Sequence, residues 1–157
     1  MRPRSEESRL RAHQIQLTVT DLLAEVHETH HPIGPSLYYE DQRPEAIRRS
    51  ALFVRERIPV YLRYFDGALR SNRAGRGRWL VGAGASYPDL SLFQVVAGLR
   101  YAFPRAMARA ERKLPRLGDL HDAVAARPRI AAYLASDRRL PFDEHCIFRH
   151  YPELDEG

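Results

Sequence analysis

Apolar positions recur along most of this chain at intervals of three and four residues, the spacing that places them on one side of an α-helix. Ile15, Val19, Leu22 and Val26 make the first stripe. Ser5 or Ser8 can cap the helix that carries it. That helix is expected to end near His30, because His31 precedes Pro32 and a residue before proline is pushed out of helical space. Residues 32–43, with Gly34, Pro35, Tyr38 and Tyr39, read as a loop. Pro44 then suits a first helical turn, and Ala51, Val54, Ile58, Leu62, Phe65 and Leu69 mark a second long stripe. Pro59 falls inside it, which predicts a kink in a continuing helix.

The most informative segment is Ser86-Tyr87-Pro88-Asp89, followed by an apolar run from Leu90 to Leu99. Ser86 and Asp89 have the spacing of a capping box, and Pro88 occupies a turn whose N–H groups lack helical partners. The helix behind it is polar only at Ser91, Gln94 and Arg100, so it belongs at the centre of a core. Trp79, Leu80 and Val81 should pack down ahead of it, and Pro104 should stop it. Leu117, Leu120 and Val124 predict a further helix, and Ile130, Ala131 and Leu134 a short one after Pro128. Phe142, Ile147, Phe148 and Tyr151 suggest a tail that packs back on the body. No stretch alternates apolar and polar residues as a half-buried strand does. The pattern predicts an all-α protein, an orthogonal or up-down bundle of five to seven helices. It reads as one domain over 1–157, with a linker-like start at 1–8, a helical body at 9–140 and a packed tail at 141–157.

Composition narrows the function classes. With 157 residues, 44% of them hydrophobic, the chain can bury a core without metal or disulfide support. No apolar run approaches the roughly 20 residues that span a bilayer, and the start has no signal-like hydrophobic region. Cys146 stands alone, which fits a reducing compartment, and a cytoplasmic location is expected. The net charge of +5 comes from arginines interleaved with acids, without the basic stripe and spaced aromatics of a nucleic-acid binder. Neither nucleic acid nor membrane is an expected partner.

Leu80-Val81-Gly82, a short gap, and Ser86-x-x-Asp89 entering a buried helix resemble the cytosolic glutathione S-transferases, at the sixth helix of their all-helical C-terminal domain. Ile58-Pro59-Val60-Tyr61-Leu62 resembles the fifth helix. The run from Pro115 through His121 and Arg127-Pro128 to Leu134 is similar to the closing helices. The thioredoxin-like N-terminal domain of the family, which binds glutathione and stabilises its thiolate, has no counterpart here, and Met1 falls where the linker out of it would lie. The resemblance therefore implies a C-terminal domain giving the hydrophobic substrate side and a dimer surface, unable to conjugate glutathione alone. Glutathione is implied as co-substrate of the complete enzyme, with a small hydrophobic electrophile. A second copy or a thioredoxin-like domain is the implied partner. The alternative is a non-enzymatic helical interaction module.

By the same resemblance, the end of the first helix and its loop would face the electrophile, which singles out His27, His30, His31, Tyr38 and Tyr39. A surface helix end with packed tyrosines reads equally well. Asp21 corresponds to an acidic residue that contacts the partner's glutathione across the dimer, and it also suits an exposed helix carboxylate. Ser86 and Asp89 are expected to cap the buried helix, with no catalytic role. His27-Glu28-Thr29-His30-His31 also matches His-Glu-x-x-His, in which His27 and His31 would bind zinc beside Glu28 as base. Pro32 at the second ligand and the lack of a third at a usual spacing argue against it. No metal site and no catalytic residue are expected.

Overall fold

The computed structural model describes residue 3 and residues 5–156, so parts of the linker-like start and the last tail residue lie outside the described residues. Seven α-helices are present among them, and no strand. The bundle is all-α, as the hydrophobic pattern predicts. Helix α1 (Glu6–Glu28) is capped by Ser5, whose side chain accepts the Ser8 N–H, so it starts inside the segment expected as a linker. Its stripe of Ala12, Ile15, Val19, Leu22 and Val26 is buried throughout.

Helices α2 (Arg43–Leu52) and α3 (Ile58–Ser71) are joined by a π-helical turn at Phe53–Arg57. Pro59 explains the turn: it has no N–H to give back one turn, and its ring crowds that carbonyl. An inserted π turn absorbs the mismatch without breaking the helix. Phe53, Ile58, Leu62, Phe65 and Leu69 remain in the core on both sides of it.

Helix α4 (Tyr87–Ala102) runs through the middle, packed against α1 on one side and α6 (Pro115–Ala125) on the other. Its Leu92, Val95, Val96, Leu99 and Ala102 are almost wholly inaccessible. The reciprocal capping box between Ser86 and Asp89 forms. The Asp89 carboxylate accepts the Ser86 N–H at 2.7 Å and the Ser86 hydroxyl at 2.8 Å, and also the Leu80 N–H at 2.7 Å. Asp89 therefore fastens the 79–82 segment to the helix it caps. Burial raises its pKa, and the hydrogen bonds oppose that rise.

Helix α5 (Pro104–Glu111) follows α4 directly, and α7 (Pro128–Leu134) is short, with no buried residue. The tail closes the molecule. Phe148 is buried, Phe142 stacks on Tyr101 at 5.1 Å, and a 3₁₀ turn at Pro152–Asp155 seats against α2 and α5. Polar groups seat it as firmly as apolar ones. Ser50 Oγ donates to the Leu154 carbonyl at 2.5 Å, and Asp155 accepts the Arg105 and Ala106 N–H groups at 2.6 and 3.0 Å. Helix α5, which has no cap of its own, is capped from the far end of the chain.

Candidate functional site

A cleft between α1, α4 and the tail, and the C-terminal end of α1, both carry groups able to bind a ligand.

The cleft encloses about 800 Å³ and is mostly apolar. Val19 and Leu23 of α1 face Leu90 and Val95 of α4, and Phe142 and Phe148 of the tail close one side. Gln16, Ser91 and Gln94 add polar atoms to this wall. Gln16 Oε1 is buried without a hydrogen-bond partner. An apolar wall with a few polar handles is the usual lining of a small-molecule site. The two α4 glutamine and serine groups were legible only as interruptions of an apolar run; their use in a wall depends on where α1 and the tail lie.

At the end of α1, the chain keeps turning past Glu28. The His30 and His31 N–H groups both reach the His27 carbonyl, at 3.3 and 3.1 Å. His31, just before Pro32, lies outside the helix, as expected of a residue that precedes proline. The rings of His27 and His31 stack at 5.1 Å, and His30 stands edge-on to both. His30 is buried and its Nε2 lies 2.9 Å from the Ile147 carbonyl oxygen, tying α1 to the tail. Desolvation brings its pKa down to about 4, so the ring is neutral at physiological pH. His31 is also shifted down by burial and by the Arg149 charge. Glu28 faces away, with Arg49 Nη2 2.6 Å from its carboxylate.

The loop tyrosines separate. Tyr39 is buried, stacks on Tyr151 at 3.9 Å and donates its hydroxyl to Glu153 at 3.2 Å. Burial and the Glu153 charge push its pKa up to about 12. Tyr38 is 79% exposed. Gln42, fully buried, fixes this loop by accepting the Ile33 N–H and donating to the Gly34 and Leu37 carbonyls. The structure thus brings His27, His30 and His31 together, sets Tyr38 and Tyr39 apart from each other, and lines the α1/α4 cleft with none of the five. Asp21 is exposed midway along α1. Cys146 is exposed at the cleft edge, and its hydrogen bond to Asp143 raises its pKa, the opposite of an activated nucleophile.

No helix of the described residues is long and apolar enough to cross a membrane. No curated protein matches the sequence. Among solved structures, NaGST-2 superposes with a TM-score of 0.58 at 12% identity, over 88% of this chain and 62% of that one. At that identity the likeness concerns the fold, and the chain spans less than two thirds of its neighbour's length. The model of the family described as glutathione S-transferase, C-terminal domain, matches residues 27–137, from the last turn of α1 to just beyond α7. The chain belongs to the glutathione S-transferase family by way of this C-terminal helical domain.

Proposed function

We propose that this domain supplies the hydrophobic-substrate side of a glutathione transferase-like protein of the cytoplasm, and does not conjugate glutathione by itself. The α1/α4 cleft carries the reading. It has the volume and lining of a site for a small apolar electrophile. Conjugation needs the glutathione thiol ionised and held, and neither Ser86 nor Cys146 is free to do so. The Ser86 hydroxyl donates its hydrogen bond to Asp89, and the hydrogen bond to Asp143 favours the thiol form of Cys146. Thiolate stabilisation is therefore assigned to a thioredoxin-like domain joined to or docked on this one.

The exposed face of α1 supports a partner surface. Leu10 and Leu17 are 66% and 52% exposed, two turns apart on one side of the helix, with Asp21 one turn further along. A second copy docked there would bring Asp21 toward the partner's glutathione. The same exposed leucines favour the second reading, a non-enzymatic interaction module.

The deciding experiment combines two measurements on the domain alone. A chlorinated aromatic electrophile with glutathione should react at the uncatalysed rate. An unreactive analogue of that electrophile should shift the NMR signals of Leu23, Leu90 and Gln94, and Leu90→Arg should abolish the shifts. Conjugation clearly above background, or ligand shifts confined to other residues, would overturn the proposal. Sedimentation of the wild type and Leu17→Glu separates the partner readings: a dimer lost in the variant favours the transferase arrangement, a monomer in both the interaction module.

A further inference from the structure

The three histidines at the end of α1 are not used by the reading above, and their geometry points to a ligand of a different kind. One ring nitrogen from each of His27, His30 and His31 lies within 4.8 Å of the other two. The Ile147 carbonyl oxygen can only accept, so the His30 Nε2 beside it carries the ring proton and Nδ1 carries the lone pair. That lone pair is aimed at His31 Nδ1, 2.5 Å away. A ring fixed in one tautomer by a backbone carbonyl, with the opposite nitrogen turned toward other imidazoles, is how metal-ligating histidines are held.

We propose that His27, His30 and His31 form a three-imidazole site for a divalent transition metal of the zinc type, bound through His30 Nδ1 and one ring nitrogen from each of the others. All-nitrogen donor sets suit Zn²⁺, Co²⁺, Ni²⁺ and Cu²⁺ rather than Mg²⁺ or Ca²⁺. Nitrogens sharing a tetrahedral ion at about 2.0–2.1 Å stand about 3.3 Å apart, so the His30 and His31 nitrogens need to part by less than about 1 Å. The His31 ring is only partly buried and can make that movement. A fourth position is left for water. The site is not a His-Glu-x-x-His protease arrangement: its third ligand is His30, from inside the motif, and Glu28 is turned to Arg49. The Arg149 guanidinium, bonded to the Cys146 carbonyl at 2.8 Å, acts on the His30 and His31 rings and sets a positive charge against the incoming cation.

The test is calorimetric titration of the untagged chain with Zn²⁺ alone, and with Co²⁺ while its visible spectrum is recorded. One equivalent of each metal should bind, with a tetrahedral Co²⁺ spectrum. His27→Gln and His31→Gln should each weaken binding at least about tenfold, since losing a ligand costs no less than losing a second-shell partner. His13→Gln, on the exposed face of α1, should bind as the wild type does, and Arg149→Gln should bind more tightly. His27 and His31 are chosen because neither is fully buried, and circular dichroism checks that both variants fold. Absence of stoichiometric uptake by the wild type, or unchanged affinity in folded His27→Gln and His31→Gln, would overturn the proposal.

Discussion

Gly98 of α4 lies directly beneath the ring of Phe148, so close that a Cβ at position 98 would overlap three atoms of that ring. This contact lets the tail reach the central helix. Alanine in place of glycine favours a helix by about 1 kcal/mol, whereas overpacking a tight contact costs about 1–3 kcal/mol. The ring has little room to retreat, because Phe142 stands edge-on to it at 6.0 Å and is itself stacked on Tyr101. The clash should therefore win. Gly98→Ala is expected to lower the melting temperature and to speed tryptic cleavage at Arg149. In a Phe148→Ala background the same change should become neutral or stabilising. A Gly98→Ala protein as stable and as protected as wild type would refute the contact.

Asp89 should matter more than the residue it caps with. Ser86→Ala removes the hydroxyl and costs about 1 kcal/mol, the usual value of a cap. Asp89→Ala also strands the Ser86 and Leu80 N–H groups in a buried place. Unsatisfied buried donors cost about 1–3 kcal/mol each, so a loss of about 3 kcal/mol or more is expected. Urea unfolding of the two variants measures the ratio. Equal losses would mean that the Ser86 and Leu80 N–H bonds contribute nothing.

These residues also show what was legible beforehand. The pairing of Ser86 with Asp89 could be read because both ends lie within one turn, where spacing determines contact. The Asp89–Leu80 bond could not, since it depends on a loop folding back. The same holds for the capping of α5 by Asp155, contributed from 49 or more residues away, and for the tie between His30 and Ile147, 117 residues apart. Periodicity located the helices and the buried stripe of α1, because burial repeats with the helical turn. It was silent on the π turn at Phe53–Arg57 except through Pro59. The cleft is a property of packing between α1, α4 and the tail, and no local pattern encodes it.

Capping from a distance makes the tail part of α5's stability. Asp155→Ala should expose the Arg105 and Ala106 N–H groups at the start of α5 and cost about 1–2 kcal/mol, the upper range for a cap. Asp155→Asn keeps an acceptor oxygen and should recover part of the loss. Hydrogen exchange gives the specific readout, because the Arg105 and Ala106 amides should exchange faster in Asp155→Ala while those of α4 do not change. Uniform acceleration across the bundle would point to general destabilisation instead.

Glu25 gives the pH dependence. Arg57 holds its carboxylate with two paired hydrogen bonds of 2.8 and 2.9 Å, Tyr61 donates at 2.7 Å, and Arg49 lies 3.8 Å away. The Arg57 bonds are the largest of the influences that lower its pKa below the usual 4.5, and burial partly opposes them. Between the lowered folded value and the unfolded one, the unfolded chain binds more protons, so stability falls as the pH falls. The contribution is fully present above the unfolded value and disappears as the pH drops through the folded one. Glu25→Gln keeps the shape but loses the charge, and charge-assisted bonds contribute about 1.5–3 kcal/mol each at most. With Arg57 40% exposed, solvent screening reduces this, and a loss of about 1–2 kcal/mol at pH 7 is expected. The gap between wild type and Glu25→Gln should then narrow as urea melts are repeated below pH 4.5. If it stays constant into acid, Glu25 is not the group whose protonation weakens the fold.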